Sequence, residues 1–346
     1  MTQTQSAVQR FESSSGVRIY RIPMEVFPGF IGYAYLLLGA GVPTLVDVGS
    51  GYQASTEQLL DGLASVSSEH GEAFIPSDIE RVIISHGHVD HFGGLGNVMD
   101  AIGSAAIGSA AIGIHPLDRR ILTNYEERVL IATKNLTIYL QQAGVPQETL
   151  PDLLQMYGFS KMHVRSMPID FTLEDGDELD GMRIYHVPGH CSGQIAIQIG
   201  DVLLSADHIL SRTAPHLAPE SITHYTGVGH YLEALDKMRR VDGIRLVLGG
   251  HEDPITDMHK RIGELIERIH QKKQRVVEIL QNSEASLSIF QITQLMYPEK
   301  YGFNHLLALQ QAGAFVEYLY DRGYLCIANL DDVKQSDNSA LYYSLI

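Results

Sequence analysis

Residues 84–94 read ISHGHVDHFGG and bring His86, His88, Asp90 and His91 within six positions of one another. Neutral imidazole and carboxylate are the donors that divalent transition ions take. The four follow an apolar run and precede two glycines, which suits a turn at a strand end. His86 and His88 are expected to face one side of that turn, while Asp90 and His91 open the next helix and face the other. Two adjacent ions could then be served by one short loop. Three more donors stand where strand ends would supply them: His190 in VPGHCSG, Asp207 in LLSADH and His251 in VLGGHEDP. Seven donors suit two ions of about four to six coordination with a position left for water.

The elements that must position these side chains are legible as apolar, β-branched runs closed by turn residues. IGYAYLLLG, TLVDVGSG, RVIISHG, AAIGIHP, MRIYHVPGH, QIAIQIG, DVLLSADH and RLVLGGH read as strands. Helical patterns such as YQASTEQLLDGLASV and HYLEALDKMRRV lie between some of them, so the fold class is α/β or α+β with extensive sheet. Several strands end in His or Asp, which is how a sheet presents chemistry at one rim. AIGSAAIGSAAIG, residues 101–113, repeats every five residues, a period that matches neither a strand nor a solenoid. Its last copy is read as strand and the earlier ones as an extension of the preceding helix or loop. Residues 117–165 form a helical insertion with a joint between Gly144 and Pro151, placed to act as a cap.

Residues 1–16 are polar and are expected to be a flexible tail without a signal peptide. The catalytic region is drawn as 17–260. From about 256 the strand pattern gives way to a long amphipathic helix, two further helices and a terminal hairpin, a winged-helix-like pattern assigned to 261–346. With 346 residues, 45% of them hydrophobic, two cores are expected. No apolar run is long enough to span a membrane. Cys191 and Cys326 give no disulfide framework, and a cytoplasmic location is expected. The formal charge of −16 argues against a partner held by its phosphates.

The set of motifs resembles the metallo-β-lactamase superfamily, with its His-x-His-x-Asp-His, a later Pro-Gly-His, a strand-end Asp and a final Gly-His in the same order over about residues 17–256. The resemblance implies an αββα sandwich with the site at one edge of its two sheets. It assigns His86, His88 and His190 to a first metal, Asp90, His91 and His251 to a second, and Asp207 to a bridge between them. Two divalent ions are implied, zinc by default, with iron or manganese as alternatives. Ser85 stands where Thr is common and Ala206 where Gly is common; neither change removes a donor. Asp47 resembles the carboxylate that orients a ligand histidine. Cys191, His186 and His208 lie near donors and are candidate pocket residues.

Two such ions would lower the pKa of a shared water from ~15.7 towards ~7 and make hydroxide available at neutral pH. Asp90 would position that nucleophile and relay a proton. Hydrolysis is therefore the expected reaction. With all seven donors present, the chain looks more like the glyoxalase II, lactonase and phosphodiesterase branches than like the antibiotic-hydrolysing members. The terminal extension makes it similar to the LACTB-like branch, which includes thioesterases and an RNA-cutting enzyme. Residues 261–346 carry ten acids, and helix 304–322 has Arg322 as its only strong cation. A helix that reads nucleic acid needs several. A small-molecule acyl substrate is thus expected, a thioester, ester or lactone, with the terminal unit packing on the catalytic region or forming a homodimer. The alternatives are a phosphodiesterase or endoribonuclease of the same fold, a mononuclear iron oxygenase, and a non-catalytic DNA-binding sensor.

Overall fold

A computed structural model describes residues 7–52, 54–103, 110–159, 164–336 and 339–346. One sheet of seven strands runs in chain order: β1 (Gln9–Glu12), β2 (Arg18–Phe27), β3 (Phe30–Leu38), β4 (Thr44–Val46), β5 (Arg81–Ile84), β6 (Ala111–Ile114) and β7 (Phe171–Thr172). Its first four strands pair antiparallel and its last four parallel, with β4 in both sets. A second sheet holds β8 (Glu178–Leu179), β9 (Met182–His186), β10 (Ile195–Ile199), β11 (Val202–Ala206) and β12 (Leu246–Gly249), antiparallel except where β11 meets β12.

Side chains alternate across a strand, and here the alternation divides the core into layers. Ile19, Leu37 and Ile83 of the first sheet meet Ile184, Ile197, Leu204 and Leu248 of the second in one buried cluster between the sheets. Their chain neighbours Tyr20, Leu36, Val82 and Ile84 point the other way, onto α1 (Ser55–His70), α2 (Val89–Phe92) and α3 (Leu95–Gly103). Both faces of each inner strand are therefore apolar, which is why the strands read as unbroken hydrophobic runs. Helices outside and two sheets within make the αββα sandwich.

The insertion supplies α4 (Arg119–Thr123), α5 (Tyr125–Gln142) and α6 (Leu150–Phe159); α7 (Val228–Met238) follows β11. The C-terminal part holds α8 (Met258–Gln281), α9 (Ile289–Met296), α10 (Phe303–Asp321), α11 (Leu330–Gln335) and a small antiparallel sheet in the order β13 (Leu287–Ser288), β15 (Tyr342–Leu345), β14 (Leu325–Ile327). One apolar cluster joins Leu203 and Val247 of the second sheet to Tyr231 and Leu235 of α7, Leu136 and Leu140 of α5, and Leu309, Phe315 and Leu319 of α10. Each such side chain, fully buried, contributes about 1.5–3 kcal/mol. The insertion and the terminal helices thus close the outer face of the second sheet together. Gly313 lies mid-helix in α10 because a side chain there would run into the Tyr139 hydroxyl, which donates to the Leu309 carbonyl at 2.7 Å.

The polar N-terminal segment departs from the expected tail. Residues 9–12 form β1, in register with Arg18–Arg21 of β2, and the Ser13 hydroxyl accepts from the Val17 amide at 3.2 Å. Pairing of the exposed β2 edge outweighs the polar composition. In the AIGSA repeat, Ala101–Gly103 end α3 and Ala111–Ile114 form β6; residues 104–109 lie outside the described residues. Among the described residues, no helix is long and apolar enough to cross a membrane.

β11 ends at Ala206, which is buried with φ at 44°. A Cβ in this left-handed conformation is unfavourable, and glycine carries no such penalty. Ala206→Gly is expected to raise stability by about 0.5–1 kcal/mol, or about 1–2 °C in a thermal melt of a chain this long. A lowered melting temperature would show that the methyl group's packing outweighs its backbone cost.

Candidate metal centre

The donors stand at the carboxyl ends of strands, where α/β sheets present ligand sites. The chain leaves β5 at Ile84 and turns through Ser85 to His88, after which one helical turn, α2, carries Asp90 and His91. His190 follows β9 by a turn through Gly189, whose φ is 121° and where a Cβ would lie 2.5 Å from Tyr231 Cα. Asp207 follows β11, and His251 follows β12 after Gly250. A Cβ on Gly250 would lie 2.6 Å from both Asp207 Oδ1 and His91 Cε1. Glycine at that position is what lets the last strand approach the others.

His86 Nε2 lies 3.0 Å from His88 Nδ1, which lies 2.8 Å from His190 Nε2. Three ring nitrogens so close cannot all carry protons. Burial, then the neighbouring imidazoles, hold His86 and His88 well below the usual histidine pKa. Both rings are therefore neutral at pH 7 and able to donate lone pairs. Asp90, His91 and His251 form a second group, and His86, His91 and Asp207 a third, each with donor atoms within 4.8 Å of one another. Asp207 faces all of this: Oδ1 lies 3.4 Å from His91 Nε2, and Oδ2 lies 3.5 Å from both His190 Nε2 and His251 Nε2.

Charge at the second group is balanced differently. Burial opposes ionisation of Asp90, but its ion-pair contact with His251, at 3.3 Å, and the charge of His91 prevail and hold it at about 2. Burial likewise opposes charge on His251, yet Asp207 and Asp90 raise it to about 10. His91 is raised well above its ordinary value by Asp207 and Asp47 against the same burial. These carboxylates favour the charged form of the neighbouring imidazoles. Among the described residues, His91 Nε2, Asp207 Oδ1 and His251 Nε2 are nevertheless buried without a hydrogen-bond partner. Orphaned polar atoms converging on one point fit a bound ion.

Each outward nitrogen of the Nε2 donors is fixed by a partner. His190 Nδ1 donates to the His216 carbonyl at 2.7 Å, and His251 Nδ1 to the Ile31 carbonyl at 2.8 Å. His91 Nδ1 meets Asp47 Oδ2 at 2.7 Å. The Ser85 hydroxyl donates to that same oxygen at 2.8 Å and accepts from His86 Nδ1 at 3.0 Å. Ser85 therefore keeps the hydroxyl a threonine would offer. Asp47 itself sits at φ 62°, a left-handed turn that aspartate tolerates better than most residues.

The other sequence candidates lie outside the cluster. The Cys191 thiol is buried, points at Asp118 Oδ2 at 3.2 Å, and is raised well above an ordinary thiol by burial and by that carboxylate. It is neither a nucleophile nor a ligand in this arrangement. His186 stacks on His115, with centroids 4.0 Å apart, and bonds the Ser192 carbonyl. His208 does not line the site; its ring packs edge-on against Tyr231 of α7, and burial lowers it to about 3. The step from Asp207 to His208 turns successive side chains to opposite sides. Ser85's bridging role, His216 and Asp118 escaped the sequence reading. His216 is a lone histidine in a loop and carries no local signal, whereas Asp118 in HPLD, just after a strand, could have been noticed.

Sequence and structure comparisons agree with this geometry. The metallo-beta-lactamase superfamily pattern matches residues 27–251, and the chain belongs to that superfamily. It is 23% identical over 307 residues to a probable metallo-hydrolase, YqjP, of Bacillus subtilis, covering 86% of this chain and 90% of that one. A Caenorhabditis elegans protein described as a beta-lactamase-like protein 2 homolog is 22% identical, covering 83% and 78%. A metallo-beta-lactamase family protein of Thermus thermophilus superposes with a TM-score of 0.74 at 22% identity, over 95% of this chain and 98% of the other. A beta-lactamase domain protein of Burkholderia ambifaria gives 0.71 at 21%, over 100% and 97%. The chain is a superfamily hydrolase with a His/Asp cluster of metal-binding type.

Filling the second group must displace the protons on His91 and His251. Metal affinity is accordingly expected to rise with pH from 6 to 9, as proton competition falls. Calorimetry at pH 7 in buffers of differing ionisation enthalpy should register proton release; none would contradict the raised imidazole values. Asp47→Ala should weaken metal binding by about 10–100-fold, as loss of such an orienting partner does, measured by competition with a chelator.

Proposed function

We propose that this chain is a binuclear metal-dependent hydrolase of a thioester, ester or lactone of a small organic acid, in the LACTB-like and glyoxalase II-like part of the superfamily. The observation that carries the reading is Asp207, one carboxylate within 3.5 Å of donors from both groups: Oδ2 faces His190 of the first and His251 of the second, and Oδ1 faces His91 of the second. His86, His88 and His190 would hold one ion, and Asp90, His91 and His251 the other, with Asp207 shared. Two divalent ions bound there, zinc by preference, would supply a water acidic enough to be nucleophilic near pH 7 and polarise the scissile carbonyl. Asp90, ionised at neutral pH, accepts a hydrogen bond from the attacking water and orients it. The neutral rings of His86 and His88 add no positive charge of their own, and the buried walls exclude bulk water.

Substrate class is argued from what surrounds the centre. Read as a winged helix, the terminal unit would place α10 in a groove, but α10 buries Leu306, Leu309, Gln311, Phe315 and Leu319. Reading a nucleic acid would require that helix to be exposed and basic. Instead it packs on the loop after Asp207: Gln311 Oε1 accepts from the Leu217 amide, and Glu317 from the amides of Glu220 and Ser221. The nematode relative's description supports the LACTB-like placement. Two free cysteines support a reducing, cytoplasmic setting.

The test is metal analysis of protein purified without added metal, followed by turnover on acyl-CoA and aryl thioesters against bis-p-nitrophenyl phosphate and single-stranded RNA. Two ions per chain and activity on the acyl panel are expected. Activity on RNA alone would replace the acyl reading with a phosphodiesterase, and a single iron with oxygen uptake would replace it with an oxygenase. His88→Ala should lower turnover by at least about 100-fold, the order expected on losing a group that generates the nucleophile; unchanged turnover would remove the first group from the reaction.

A further inference from the structure

Asp118 begins the helical insertion and is fully buried. Its Oδ2 accepts from the Gly87 amide at 2.8 Å and from the Cys191 thiol at 3.2 Å, and its Oδ1 accepts from the Gly193 amide at 2.9 Å. Gly87 lies between His86 and His88, while Cys191 and Gly193 closely follow His190. One carboxylate thus ties together the two loops that supply the first donor group. Both glycines are shaped to it: a Cβ at 193 would lie 2.6 Å from Asp118 Cγ, and one at 87 would lie 3.3 Å from it. Three donors to one buried carboxylate satisfy it without a counter-ion, so the group is built to be an acceptor between loops.

We propose that Asp118 is a positioning residue for the first metal site, setting the separation of His88 from His190 through Gly87, Cys191 and Gly193. His88 and His190 belong to elements 102 residues apart in the chain, and their register depends on a shared anchor. The same residue links the site to the insertion. Its backbone opens the helical turn leading into α4, and Ile121 of α4 packs over Gly87. Cys191 then has a role other than ligand or nucleophile: it donates the third hydrogen bond to the anchor.

This inference rests on the reading that both donor groups hold ions, so the experiment tests the two separately. Wild type, Asp118→Ala, Asp118→Asn and Cys191→Ala are each checked for folding by circular dichroism and titrated with Co²⁺ against a competing chelator. The visible spectrum follows both ions. Wild-type protein taking up fewer than two ions would end the reading of the site, whatever Asp118 does. With two ions in the wild type, folded Asp118→Ala is expected to bind the first about 10–100-fold more weakly and the second unchanged. Asp118→Asn, which retains one acceptor oxygen, should fall between, and Cys191→Ala should show the smallest loss. Turnover should drop through kcat with little change in KM. Folded Asp118 variants with wild-type affinity for both ions would overturn the proposal, and if Asp118→Ala does not fold, Asp118→Asn decides by the same criterion.

Discussion

A buried carboxylate, Asp207, faces imidazoles delivered by three other strand ends, and much of the molecule can be understood as keeping those groups together. Two acidic side chains and five histidines share a volume from which water is largely removed. In such a place an uncompensated carboxylate is costly, and the protein offers two kinds of compensation. The charged form is favoured at His91 and His251, where Asp90, Asp207 and Asp47 are near, while burial and neighbouring imidazoles keep His86 and His88 neutral.

The surrounding architecture acts by fixing directions. Backbone carbonyls at His216 and Ile31, the Asp47 carboxylate and the Ser85 hydroxyl each engage the outward nitrogen of one ring, leaving the other nitrogen aimed inward. His216 extends the chain of contacts outward, since its Nε2 bonds the Leu307 carbonyl of α10 at 3.1 Å. A donor at the rim of the sandwich is therefore oriented, through one residue, by the terminal helices. Those helices also cover the outer face of the second sheet, so the terminal unit contributes to the core and to the site wall at once. Backbone conformation is bent to the same end: Asp47 and Ala206 both occupy left-handed geometry at strand ends next to the site. Such strain concentrates where side-chain direction matters more than local stability.

The sequence was most informative where chemistry and local geometry coincide. Four donors in six residues followed by Gly93 and Gly94 already define a ligand turn, because few other roles require that composition. The strands were legible because both faces of the inner ones are buried, leaving uninterrupted apolar runs bounded by glycine and proline. The segment at 9–12 was misread as tail, since an edge strand needs no apolar alternation when its partner supplies the hydrogen bonds. His208 was misread as lining the pocket, since proximity in sequence says nothing of which way a residue faces after a bulged strand end.

What the sequence determined by itself was the donor-rich turn and the strand ends that bear further donors, because these follow from residue type and short-range periodicity; the class of reaction came from the resemblance those motifs carry. What only the tertiary structure decided was the convergence of His190, Asp207 and His251 on the 86–91 turn, the roles of Asp118 and His216, and the burial of α10. These depend on contacts between residues far apart in the chain, from His190 with His216 to Asp90 with His251, and such contacts are set by how the two sheets pack, which no local pattern encodes.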